Sequence, residues 1–156
     1  MQPLPKTKNC FVCGTENASG LRLQMRGDGK CVRAAFIPRP EHAGFTHAVH
    51  GGITATVLDE IMAWAIIDST RRAAYSAEFT IRYQRPIRVG ETTEAMGEVT
   101  VNRRNKLFET RGEIRNAQGE ICAVATGKYM ALRDADMESA LMDFPAEARG
   151  YFTPSS

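Results

Sequence analysis

A chain of 156 residues with 43% hydrophobic and 24% charged side chains is long enough for one substantial core and has the make-up of an ordinary globular domain. Its formal net charge of +2 selects neither for nor against an anionic ligand. The one dense basic cluster, Arg103-Arg104-Asn105-Lys106, is too short to suggest a nucleic-acid surface.

In chain order, residues 1–20 read as an irregular lead-in of Pro, Asn and Gly, without the apolar stretch of a secretory signal. Cys10 and Cys13 lie in CFVCG, the spacing of half a zinc knuckle. No second CxxC or close His pair completes four ligands, so the pair is read as structural and no metal is expected. Cys31 and Cys122 fall inside strand-like segments as reduced thiols. LRLQM and CVRAAFI flank Gly27-Asp28-Gly29 as a β-hairpin, ended by Pro38 and Pro40. A loop of about ten residues, long enough to suggest a functional segment, leads to His50-Gly51-Gly52.

From there HGGITATVLDEIMAWA predicts a helix to about Ser69, apolar nearly all round and therefore buried on most sides. Its longest apolar run, Ile61 to Ile67, is far too short to cross a bilayer, and a cytoplasmic protein is the default expectation. Next, Phe79, Ile81 and Tyr83 alternate with polar residues until Pro86, the period of a strand. Residues 92–101, 107–115 and 120–132 predict three more strands, separated by the turn sequences Asn102–Asn105 and Asn116–Gly119. Asp134 is placed to cap a short last helix before Pro145, so that 133–156 form a C-terminal helix and tail. One domain over 1–156 is expected.

A hairpin, one long helix and a strand meander make an α+β fold. Gly97, Gly112, Ala123, Ala125 and Gly127 share one face of the later strands by alternation. Such a row lets a helix approach closely, which predicts a strongly curved antiparallel sheet wrapped around it.

Two adjacent carboxylates, Asp59 and Glu60, interrupt the buried helix, although an ionised group out of water costs several kcal/mol unless it is paired. They mark either a solvated stripe or a cavity. The helix start favours the cavity: free amides at Gly51 and Gly52, reinforced by the helix dipole, offer an oxyanion site, and a carboxylate about two turns along can act as base or nucleophile.

The segment HGGITATVLDE resembles the helix signature of hotdog-fold acyl-CoA thioesterases, notably the phenylacetate-degradation type and its mammalian thioesterase-superfamily relatives. SAEFTIRYQRP and NCFVCGTENASGLRL resemble that family's following strand and the lead-in of one bacterial branch. The similarity covers roughly residues 9–132 and implies hydrolysis of an acyl-CoA, or a related acyl thioester, to free acid and thiol. It implies that Asp59, nine residues after His50, is the catalytic carboxylate. By the same resemblance the Gly51 amide polarises the thioester carbonyl, and Ser76, ten residues before Pro86, orients water from a neighbouring subunit. His50 braces the helix entry, and Glu60 is left as the solvated member of the pair.

His50, Gly52, Tyr75, Ala77, Arg104 and Lys106 complete the expected substrate-binding set, with the last two placed to meet coenzyme A phosphates. Trp64, Met62, Tyr75 and Phe45 are candidates for lining the acyl pocket. Coenzyme A enters only as part of the substrate, and no other cofactor is expected. The resemblance also implies a homodimer or tetramer with sites at the subunit boundary, and exposed strand edges independently call for a cover. One departure is Gly44, which stands where some relatives have Asn, unless His42 or His47 substitutes. The remaining alternatives are a non-catalytic acyl-CoA binding module and a hotdog hydratase or dehydratase; the Asp-x4-His element of the latter is not found.

Overall fold

The computed structural model describes residues 1–152; the last four residues of the expected C-terminal tail lie outside the described residues. One helix, α1 (Gly51–Thr70), packs on a seven-stranded antiparallel sheet, so the α+β expectation is met. The strands are β1 (Gln2–Pro3), β2 (Met25–Gly27), β3 (Cys31–Phe36), β4 (Ala74–Tyr83), β5 (Thr93–Arg103), β6 (Leu107–Asn116) and β7 (Ile121–Ala131). A short helix, α2 (Asp134–Leu141), and a 3-10 segment at Ala146–Phe152 follow.

The expected hairpin forms, but its first strand is shorter than the alternation suggests. Arg22 has φ 57°, a left-handed turn that breaks the strand. The amides of Leu21 and Leu23 bond instead to the carbonyls of Phe11 and Val12. The lead-in is thus irregular yet packed, with Leu4, Val12 and Cys13 buried.

A second difference concerns strand order, which runs β1-β2-β3-β5-β6-β7-β4. Of the four strands after the helix, only β5, β6 and β7 form a meander. After the helix, β4 crosses to the far edge and pairs with β7, while β5 returns to pair with β3. Successive strands are not all neighbours here: β4 and β5 flank the β6–β7 pair on opposite sides.

Two members of the row of small residues, Gly97 and Gly112, lie against α1 as predicted. Gly97 pairs with Gly112, and Gly112 with Ala125. A Cβ on Gly97 would stand 2.6 Å from the Ile61 carbonyl oxygen, so only glycine admits the helix backbone at this distance. The helix buries Val57, Leu58, Ile61, Met62 and Ile66 completely, each worth roughly 1.5–3 kcal/mol. Its other side is roofed by the lead-in and the C-terminal segment, with Phe144 edge-on to Trp64 at 6.0 Å.

The ends of α1 are set by local chemistry. His50 is the N-cap, its Nδ1 accepting from the Gly52 amide at 2.9 Å, the satisfaction of a free helix donor. Arg71 ends the helix in a left-handed conformation, its amide bonding back to the Ile67 carbonyl. Beside it, the buried Asp68 carboxylate accepts from the Gly29 amide at 2.7 Å, from Arg71 at 3.1 Å and from the Tyr151 hydroxyl. This third helix carboxylate ties the hairpin and the C-terminal segment to the helix end.

Candidate active site

Asp59 sits half-buried in the middle of α1. Its Oδ1 accepts a hydrogen bond of 2.8 Å from the hydroxyl of Tyr129 on β7. That hydroxyl is also 3.3 Å from the Asp59 carbonyl oxygen. Burial, and then the charge and hydrogen bond of Asp59, push the Tyr129 phenol above its ordinary pKa, so it remains a donor. It thereby fixes one carboxylate oxygen and leaves the other for a ligand or water.

Sequence pattern alone does not single out Tyr129. It lies on the row of Ala123, Ala125 and Gly127, where it is the one large residue with a polar tip. Its ring occupies the space that a Cβ on Gly127 would need, 2.6 Å away. Ser76 is its register partner on β4. The Ser76 hydroxyl draws the phenol toward its ionised form, but burial and the Asp59 charge outweigh it. Ser76 of the same chain therefore stands beside the Asp59–Tyr129 pair, whereas the resemblance implied the Ser76 of a neighbouring subunit. β4 bulges between Ser76 and Glu78, at Ala77, and both Tyr75 and Ala77 are exposed there.

Gly51 lies at the other end. Its carbonyl accepts from the Tyr83 hydroxyl at 2.8 Å, and among the described residues its amide meets no acceptor. It opens onto a cavity of about 280 Å³ lined by Val49, Thr54, Tyr83 and Ile87, among others. The Gly52 amide is spent on His50, which leaves Gly51 as the available oxyanion donor at this helix start. Asp59 stands eight positions after Gly51 in regular helix, about 12 Å along the axis. The two cannot reach one carbonyl group within a single chain.

Glu60 is not the solvated member of the pair. Its Oε1 accepts from the Trp64 indole at 3.0 Å and from the Cys10 thiol at 3.6 Å. Burial, and then the neighbouring Cys10, push its carboxyl up to about 7. The lead-in folds over Glu60 and leaves Asp59 to the sheet side.

The remaining candidates fall in different places. Arg104 and Lys106 line a groove of about 570 Å³ with Arg72, Met130 and Arg133; among the described residues neither has a carboxylate partner. Trp64 and Met62 are core, whereas Phe45 is 89% exposed; none of the three lines a described cavity. His42 is buried, its Nδ1 accepting from the Arg39 amide and its ring stacked on Phe36. It cannot replace an Asn at Gly44. His47 is an exposed loop residue.

A family model described as the thioesterase superfamily matches residues 46–123, half of the chain. No curated protein matches. Among solved structures, a thioesterase superfamily protein aligns with TM-score 0.73 and 28% identity, covering 79% of this chain and 63% of its own. The chain thus spans under two thirds of that relative. The PaaI protein of the E. coli phenylacetic acid degradation operon aligns with TM-score 0.66 and 22% identity, over 72% of this chain and 81% of its own. The smu.793 protein of Streptococcus mutans, solved bound to acetyl CoA, gives TM-score 0.66 and 19% identity over 70% and 88%. The matched segment contains His50, Gly51, Asp59 and Ser76: the chain belongs to the thioesterase superfamily and has its hotdog fold.

Proposed function

We propose that the protein hydrolyses an acyl-CoA thioester, with Asp59 as the catalytic carboxylate. The observation that carries this reading is the Asp59 carboxylate on the core helix, with one oxygen held by Tyr129 at 2.8 Å. A carboxylate in that setting activates water or attacks the thioester carbon directly; either way the thiolate of coenzyme A leaves and the acid is released after water adds.

The oxyanion donor is the Gly51 amide of a second copy, because the donor of the same helix is about 12 Å away. A symmetric pair of chains supplies two such composite sites. Edge strand β4 supports the pairing. Phe79 and Ile81 lie opposite Gly127 and Ala125, yet both stay only partly buried, at the edge of the sheet where β4 has no further strand beside it among the described residues. An unpaired ten-residue edge is a surface that a second copy closes. Ser76, beside the Asp59–Tyr129 pair, positions the water. Tyr75 and Ala77, exposed on either side of Ser76 on β4, are assigned to contact with the substrate. The groove with Arg104 and Lys106 takes phosphate groups of the nucleotide end.

The test is thiol release from a panel of short-chain, long-chain and aryl acyl-CoA esters by wild type and Asp59→Asn. Wild type turns over at least one ester, and folded Asp59→Asn loses about a hundredfold or more, the scale of general-base help. Equal rates would remove Asp59 from the mechanism. No turnover by wild type of any ester would leave a binding module.

A further inference from the structure

We propose that Cys10, Cys13 and Glu60 form a binding site for a thiophilic divalent cation, zinc being the expected one. Along the sequence, CFVCG is half a site without a second half. The fold supplies what spacing along the chain does not, since Glu60 on α1 is brought against both cysteines. The two sulfurs and a Glu60 carboxylate oxygen all lie within 4.8 Å of one another, and the Cys10 thiol reaches Glu60 Oε1 at 3.6 Å. Zinc–sulfur and zinc–oxygen bonds of about 2.3 and 2.0–2.2 Å place tetrahedral ligand atoms roughly 3.3–3.8 Å apart. The widest pair therefore closes by no more than about 1 Å, a small rotation of flexible side chains.

Three further observations fit a cation cradle better than a chance meeting of polar groups. The Val12 amide points at the Cys10 sulfur, 3.3 Å away, a donor that stabilises a thiolate ligand. The turn is closed by the Gly14 amide bonding to the Cys10 carbonyl at 2.9 Å. A Cβ on Gly14 would collide with the Cys10 and Lys8 backbones, so the loop is built tight around the sulfurs. Finally, the Trp64 indole donates to Glu60 at 3.0 Å, the kind of outer hydrogen bond that orients a ligating carboxylate.

Soft sulfur with one carboxylate selects zinc over magnesium or calcium. Cys13 is 1% exposed, while Cys10 and Glu60 are half-buried and give the ion its way in. Two thiol protons leave to solvent when it binds, and a water completes the tetrahedron. The ion would staple the lead-in to α1 at the residue next to Asp59.

Cobalt titration of the protein, with thiols kept reduced by a non-thiol reductant, reads the site without reference to catalysis. The expected result is a thiolate-to-cobalt charge-transfer band saturating at one ion per chain, bleached by zinc. Protein expressed with zinc and purified without chelator carries the metal by mass spectrometry. Glu60→Gln keeps both sulfurs and weakens binding about tenfold or more. Cys10→Ser removes the band, and Cys31→Ser and Cys122→Ser leave it unchanged. Absence of the band in reduced wild type, or undiminished affinity in folded Glu60→Gln, would overturn the site.

Discussion

At the scale of single residues, the Tyr129–Asp59 hydrogen bond decides what the carboxylate can do. A free Asp side chain samples rotamers; one oxygen fixed at 2.8 Å by a buried phenol holds the other in one direction. Tyr129→Phe removes the donor and little volume. Losing one charge-assisted hydrogen bond of about 1.5–3 kcal/mol is expected to lower kcat about tenfold or more, with KM nearly unchanged. Steady-state kinetics on the best ester of the panel checks this, and a KM effect with constant kcat would assign Tyr129 to packing. The Asp59 position was legible because its distance from His50-Gly51-Gly52 lies within one helix. Tyr129 was not, since its partner is 70 residues away and strand alternation gives a face without a contact. The roles of Asp59 and Glu60 in the pair were hidden for a related reason. Adjacent helix residues project about 100° apart, and which one is covered depends on where the lead-in folds.

At the scale of elements, the approach of α1 to the sheet is what fixes the site. Gly97 lets the Ile61 backbone come close, and the same approach puts Asp59 within reach of β7. Gly97→Ala forces a methyl against a helix carbonyl at 2.6 Å, and backbone atoms yield less than side chains. Overpacking of this kind is expected to cost about 3 kcal/mol, the upper part of the usual range. Gly150→Ala, with nothing within 4 Å, is the matched control and stays within about 0.5 kcal/mol. Urea unfolding of both at one protein concentration gives the comparison; equal midpoints would mean that the close approach is not needed. The small-residue row and the strands were readable from period-two alternation. The order of strands was not, because alternation gives a strand two faces and names neither neighbour, so the crossing of β4 to the far edge leaves no mark in it.

At the scale of the whole molecule, the length of α1 makes a demand that no residue or element meets alone. A carboxylate attacking through water and an amide holding the oxyanion must both stand near one carbonyl group. Gly51 and Asp59 of one helix are about 12 Å apart, so two chains must combine if both take part. This predicts complementation between two dead variants. Gly51→Pro deletes the amide hydrogen at the first helical position, the place where proline is best tolerated, and His50 with φ −60° and ψ 133° already has the backbone that a following proline requires. Asp59→Asn deletes the carboxylate. Each homodimer is expected to be inactive. Mixed dimers hold one site made from the intact Gly51 of one chain and the intact Asp59 of the other, beside one doubly defective site. With random pairing about half the dimers are mixed, and the co-expressed variants recover about a quarter of wild-type activity. If each site were built within one chain, every site in the mixture would carry a defect and no activity would return. Separation of differently tagged mixed dimers before assay ties the recovered rate to the species, and a mixed dimer as inactive as its parents would place both groups, or neither, in a single subunit.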